Sequence, residues 1–336
     1  MSGRERNGSL AMRALAFNKT RALLVVAVAV AGLAVTGSTA SAAPVTIDLC
    51  ASTGQVTMPD GATVDVWGFV QTGSCAPGLV NDGNFPGTPL SVNEGDAVTV
   101  NVTNALSAGR TLQFEVPGIA FDPGPTDAAS GATVTRTFTA SAPGTYQYQS
   151  GGDAGRQAAM GLSGALIVRP LTANQAYDTA TTAYDVEATL ILGAIDPSFN
   201  AAPDTFELHG YRAIYWLING KAYPTPGITA APGQRVLLRY VNAGFDNSAM
   251  LLLGMHQRVL ARDARLLGNP FDASAETIPA GGTEDTIATV PATAPPSPNG
   301  FPLYNRQMHV TTGNAPTPTT PNPAYTPGGQ LTFIHS

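Results

Sequence analysis

Apolar and polar residues alternate along much of the chain. Val98, Val100 and Val102 fall on one side while Thr99, Asn101 and Thr103 fall on the other, the period-two pattern of a strand with one face buried. Val64, Val66 and Gly68 alternate around Trp67 and Phe69, and strand-like runs return over residues 134–138, 146–148 and 162–168. Gly, Pro or Ser bounds each run, and no window sustains a helical period. The 36 Gly and 27 Pro among 336 residues supply turns for many short strands. The reading is all-β, with strands spaced as in a sandwich.

The chain also repeats itself. Pro89–Val98 through Asn104-Ala105 lies over Gly227–Val236 through Asn242-Ala243 at a constant offset of 138, so that Gly95 falls on Gly233, Val98 on Val236 and Asn104 on Asn242. A strand, a glycine turn and a second strand ending in Asn-Ala occur twice, as expected of one duplicated domain. The resulting division is a first domain over 43–170, a linker over 171–183 that is polar and small, and a second domain over 184–336. The Pro- and Thr-rich stretch from Asn314 to Pro327 reads as an extended loop, with a last strand after it.

Residues 1–42 read as a secretory signal peptide: Arg4, Arg6, Arg13, Lys19 and Arg21 precede the apolar run Leu23–Val35, and Ala40-Ser41-Ala42 offers a cleavage signal. A retained membrane anchor is the alternative. Cleavage before Ala43 removes five basic residues and Glu5, taking Lys+Arg from 17 to 12 and Asp+Glu from 23 to 22, a net charge of −10. So acidic a chain offers no electrostatic footprint for nucleic acid. No later segment is apolar enough to cross a membrane, so the expected location is secreted or in the cell envelope. In that setting Cys50 and Cys75 are expected to form a disulfide, closing a loop that contributes on the order of 3 kcal/mol.

Several segments, taken in order, resemble the multicopper oxidases. They are Pro89-Leu90-Ser91-Val92-Asn93-Glu94-Gly95-Asp96, Pro143-Gly144-Thr145-Tyr146-Gln147-Tyr148, Gly161-Leu162-Ser163-Gly164-Ala165-Leu166-Ile167-Val168, Leu217-Ile218-Asn219-Gly220-Lys221, and Pro232–Val236 through Arg239–Ala243. The resemblance implies two cupredoxin-like Greek-key β-sandwich domains. It also implies copper, held by His-x-His pairs and a cysteine thiolate, and here the chain departs from the pattern. One family His-x-His falls on Thr111-Leu112-Gln113-Phe114-Glu115 and another on Gln149-Ser150-Gly151. The family's His-rich segment of the second domain reads Ser248-Ala249-Met250-Leu251-Leu252-Leu253-Gly254.

A trinuclear copper centre of the family's kind takes about eight imidazoles. This chain has four His in all, His209, His256, His309 and His335, with no His-x-His. Cys50 and Cys75 lie early and have no His beside them, unlike a blue-copper thiolate. What remains for metal is a thioether and imidazole set, Met250, Met255, His256, Met308 and His309, of a kind that suits Cu(I); Met250 and Met308 as core filler is the plainer account. Trp67 and Trp216 read as core aromatics. Arg235 and Arg239, on one face of a strand, read as a solvated sheet face, with an acid ligand as the alternative. Nucleophile elbow, phosphate loop, Cys-x-x-Cys and His-Glu-x-x-His are absent from the sequence.

Three functions follow. The first is a copper-free binding or surface-structural derivative of the oxidase scaffold, with no cofactor and with an unidentified protein or small molecule as partner. The second is a copper-handling protein using the Met/His set. The third is a copper oxidoreductase completed by another chain. Homo-oligomers are compatible with all three.

Overall fold

The computed structural model describes residues 43–336, so the signal-peptide reading of 1–42 lies outside the described residues. Two sandwiches follow one another. In the first, Thr63–Gln71, Pro44–Thr57, Ala97–Asn104 and Thr133–Thr139 form one sheet in that order; Gly87–Asn93, Ser163–Arg169, Gly144–Ser150, Leu112–Glu115 and Asp127–Ala128 form the other. In the second, a six-stranded sheet runs Tyr215–Ile218, Val186–Ile195, Arg235–Asn242, Thr283–Thr289, Gln257–Arg262, Arg265–Ala273. It faces a five-stranded sheet built around Phe301–Asn305 and Leu331–His335. Both sandwiches contain a parallel pairing between strands far apart in sequence, Pro44–Thr57 with Ala97–Asn104 and Val186–Ile195 with Arg235–Asn242.

The alternation seen in the sequence becomes the packing. Val98, Val100 and Val102 are buried in the first core with Phe69, Phe114, Tyr148 and Leu166, while Thr99, Asn101 and Thr103 stay partly open. Val236, Leu238 and Tyr240 enter the second core with Met250, Leu252 and Phe301. Each fully buried side chain of this size contributes on the order of 1.5–3 kcal/mol relative to exposure.

The repeat is carried down to single hydrogen bonds. Gly95 and Gly233 both sit at φ 87°, a left-handed turn conformation that glycine adopts without Cβ strain. Asn93 N–H donates to the Asp96 carboxylate at 2.8 Å, and Ala231 N–H donates to Gln234 Oε1 at 2.7 Å. Asn104 Nδ2 donates to the carbonyls of Arg110 and Ala128, and Asn242 Nδ2 to those of Asp246 and Ile278, all at 2.9 Å. Each amide thus closes a loop that would otherwise bury unpaired carbonyls.

The sandwiches are joined through packed surfaces. Ala165 of the first meets Ile191 and Val241 of the second, and Phe199, after the second sandwich has begun, is buried in the first core. The connecting segment carries Ala176 and Tyr177, both buried against Leu237, Leu260 and Ile287. A polar spacer was the expectation; its small residues let the backbone lie flat on the second sandwich, and one aromatic side chain plugs in. Cys50 and Cys75 form the expected disulfide. Among the described residues no helix is long and apolar enough to cross a membrane.

Candidate functional site

Strands Leu112–Glu115 and Gly144–Ser150 run antiparallel, with Glu115 opposite Gln149 and Phe114 opposite Ser150. Period two sends Leu112, Phe114, Tyr146 and Tyr148 into the first core and turns Gln113, Glu115, Gln147 and Gln149 to the other face. There the side chains bond to one another. Gln149 Nε2 donates to Glu115 Oε1 at 2.8 Å, and Gln147 Nε2 donates to Gln149 Oε1 at 3.0 Å. Gln113 Nε2 donates to Asp127 Oδ1 at 2.7 Å. Ser150 Oγ donates to Gln157 Oε1 at 2.7 Å, and Gln157 Nε2 to the Thr111 carbonyl at 2.8 Å. A Cβ on Gly151 would lie 2.4 Å from the Glu115 carboxyl group, so that carboxylate occupies the space a side chain at 151 would need.

This relay has a direction. An ionised carboxylate only accepts hydrogen bonds, so Glu115 draws the amide nitrogen of Gln149, and the oxygen of Gln149 then draws the nitrogen of Gln147. The chain ends at Gln147 Oε1, which is buried and has no partner.

The thioether and imidazole residues are divided among different surroundings. Met250 and Met255 are buried in the second core. His256 and Met308 are exposed. His309 lies flat on the half-buried Trp216, ring centroids 3.4 Å apart and planes 7° apart. Asn305, the register partner of Met250, donates its Nδ2 toward His309 Nδ1 at 3.3 Å. Because that amide nitrogen only donates, Nδ1 must accept, which places the imidazole proton on Nε2. Burial lowers the His309 pKa and keeps the ring neutral. Trp67, by contrast, is a core residue, capped by the Arg110 guanidinium 4.4 Å from its ring.

Arg239 is not on a solvated face. It is fully buried, because the sheet bearing it is covered by the first sandwich. Its Nε donates to Glu187 Oε1 at 2.6 Å, and its Nη1 to Asp285 Oδ2 at 3.1 Å and to Thr145 Oγ1 at 3.0 Å. Thr145 Oγ1 and Tyr177 Oη donate to Asp285, both at 2.7 Å, and Arg169 pairs with Glu187 at 2.9 Å. The network thus joins both sandwiches and the segment between them. Burial alone would lower the Arg239 pKa, but Asp285 and Glu187 outweigh it and raise it. Burial, with Asp285 beside it, holds the Tyr177 hydroxyl protonated. Sequence reasoning missed Glu187, Asp285, Thr145 and Tyr177; the available signal was the acidic pair Glu284-Asp285 inside a strand run of Thr, Ile and Ala. Arg235, at the start of the same strand as Arg239, is half-buried, and its backbone N–H donates to Asp185.

Residues 69–173 match the multicopper oxidase family model. Laccase-3 of rice (Oryza sativa subsp. japonica) is 26% identical over 238 residues, which take in 62% of this chain and 40% of the rice protein. The chain resembles the multicopper oxidases over that stretch. It spans less than half the length of that laccase. Among solved structures, the blue copper oxidase of Nitrosomonas europaea superposes with a TM-score of 0.71 at 22% identity, covering 87% of this chain and 86% of that one. The copper nitrite reductase of the same organism gives 0.63 at 20% identity, covering 87% and 93%. These likenesses are of fold: two cupredoxin-like sandwiches, as the sequence led one to expect.

The donor set of this chain does not fit a trinuclear copper centre of the kind the resemblance implies. Where the resemblance places imidazoles, Gln113, Glu115 and Gln149 present amides and a carboxylate already engaged with neighbours, and position 151 has no side chain. Primary amide groups are weak copper ligands beside imidazole. Both cysteines are consumed in the disulfide. Among the described residues no three of His, Cys, Asp and Glu gather as a metal-holding group.

Proposed function

We propose that this chain is an exported, copper-free binding protein that keeps the oxidase scaffold and has exchanged the metal site for a hydrogen-bonded polar surface. What supports this reading is the Gln149–Glu115 hydrogen bond at positions where the resemblance places copper-binding histidines, extended by neighbouring Gln147. A site that had merely lost its histidines would leave buried polar groups unpaired at about 1–3 kcal/mol each. Here Gln149 pairs with both Glu115 and Gln147, and among their buried side-chain oxygens Gln147 Oε1 is left without a partner. The basic and apolar leader with its Ala-Ser-Ala supports export, and the disulfide is consistent with an oxidising compartment. The acidic charge favours a small molecule or a protein over nucleic acid as ligand.

The test is metal retention. The chain beginning at Ala43 is expected to keep no more than trace copper after exposure to Cu(I) or Cu(II) and dialysis, with no visible absorption band. Several coppers per chain or a strong blue band would overturn the reading in favour of an oxidoreductase. One colourless copper would favour the Met/His set instead, and changing His256 and His309 together to Ala should then abolish it.

A further inference from the structure

Lys221 is the one lysine after residue 42, and a tight turn fixes where it stands. Ile218 and Lys221 exchange backbone hydrogen bonds at 2.9 and 3.1 Å, while Asn219 and Gly220 between them hold φ values of 51° and 76°. This is the two-residue hairpin turn that Asn-Gly favours. Asn219 ties the turn to the neighbouring strand: its Oδ1 accepts the Ile191 N–H at 2.8 Å, and its Nδ2 donates to the Thr189 carbonyl at 2.9 Å. A Cβ on Gly220 would overlap the Phe85 carbonyl oxygen, so glycine lets the turn seat against the first sandwich.

The first sandwich contributes Asp82, from the loop after Thr63–Gln71. Its Oδ1 accepts the Thr57 N–H at 2.7 Å. The loop is braced on either side, with Asn81 Oδ1 accepting the Gly83 N–H and Asn84 Oδ1 accepting the Asn81 N–H, both at 2.8 Å. Asp82 and Lys221 are exposed, and both line two adjoining clefts of about 600 and 270 Å³. The larger falls within the ordinary range for small-molecule sites, roughly 300–1,000 Å³.

Among the described residues no ion pair joins these two charges to each other or to a third group. Asp82 Oδ2 is therefore open to a ligand, as is the Lys221 ammonium. The other charged side chain on these walls is Glu187, and its oxygens already accept from Arg239 Nε at 2.6 Å and Arg169 Nη2 at 2.9 Å. The larger cleft continues from the Asp82–Lys221 pair over Phe85, Val186, Ala188 and Ile228, all half-buried and so within reach of a ligand.

We infer that these clefts bind an apolar α-amino acid at the joint between the sandwiches. Its carboxylate pairs with Lys221, its ammonium with Asp82 Oδ2, and its side chain lies along the apolar wall. A simple anion or cation answers one charge and stands beside the other, whereas a zwitterion answers both. The four-carbon stem of Lys221 lets its ammonium follow the ligand. A direct pairing of two exposed side chains is weak enough for a ligand to displace. The inference rests on the binding reading above and gives it a ligand class.

Leucine is the probe for calorimetric titration of the chain beginning at Ala43. Isocaproate lacks its ammonium, isoamylamine its carboxylate and glycine its side chain; each is expected to bind about tenfold or more weakly than leucine, the size of one charged hydrogen bond or one buried aliphatic group. Lys221→Met should weaken leucine about tenfold and leave isoamylamine unchanged. Asp82→Asn keeps the acceptor for the Thr57 N–H and should weaken leucine about as much while leaving isocaproate unchanged. Both side chains are exposed, so the urea midpoints should stay with the parent. Leucine should also slow acetylation of Lys221, followed by mass spectrometry of the peptide that holds it. Neither heat nor protection at millimolar leucine, or parental affinity in Lys221→Met, would overturn the site; isocaproate binding as tightly as leucine would overturn the zwitterion class. The copper assay reads the other proposal separately: no copper and no leucine binding removes this inference alone, whereas copper retained with leucine still bound removes the copper-free reading alone.

Discussion

Arg239→Met is expected to cost about 3–5 kcal/mol, the penalty for stripping a buried carboxylate of its cation. Asp285 is 1% exposed and depends on Arg239 together with the hydroxyls of Thr145 and Tyr177. Methionine fills much of the volume but returns no charge, so Asp285 must be protonated or solvated within the packed interface. The measurement is the urea midpoint, and a midpoint within error of the parent would show that the network contributes no net stability. The double change Arg239→Met with Asp285→Leu should recover much of the loss, because removing both charges also removes the desolvation cost. Since Thr145 and Arg169 belong to the first sandwich and Glu187 to the second, the single variant should also loosen the joint between them, seen as faster proteolysis in the connecting segment around Tyr177.

Glu284→Gln should act in the opposite direction. The carboxyl group is buried, with Oε2 held by Arg262 Nε at 3.0 Å and Oε1 without a partner. Burial, opposed by Arg262 and reinforced by Glu276 and Asp285, pushes its pKa up from 4.5 to about 7. Between those values the folded protein holds a proton that the unfolded chain has released, so stability falls as pH rises through this window and the full penalty is present above it. A rise of this size corresponds to about 3 kcal/mol at most, from which the lost charged bond to Arg262 must be subtracted. Glu284→Gln is therefore expected to unfold later than the parent at pH 8, by about 2 kcal/mol, and to lose that advantage at pH 5. A constant difference across the two pH values would show that Glu284 is ionised throughout and that its burial carries no titration.

The resemblance to the multicopper oxidases and the departures from their pattern were legible in local order. Gly95 and Gly233, with the paired asparagines nine residues further on, marked a duplicated unit because a left-handed turn and a loop-closing amide tolerate few alternatives. The missing imidazoles could be counted directly. Arg239 was misread because alternation tells which face a side chain takes, not what covers that face. In an isolated sandwich its face would be wet; docking of the first sandwich makes it dry, and the charge then requires Glu187 and Asp285. Trp216 shows the same limit, since its flat stacking on His309 joins residues far apart in the chain.

Strand positions, the repeat, the disulfide pair and the loss of histidines depend on residue type and short-range spacing, and the sequence alone determined them. The direction of the Gln147–Gln149–Glu115 relay, the orphan oxygen at its end, the buried Arg239 network and the clefts beside Lys221 depend on which surfaces meet. Only the tertiary structure decided those, because whether a polar group is paired, buried or free is a property of its neighbours across the fold.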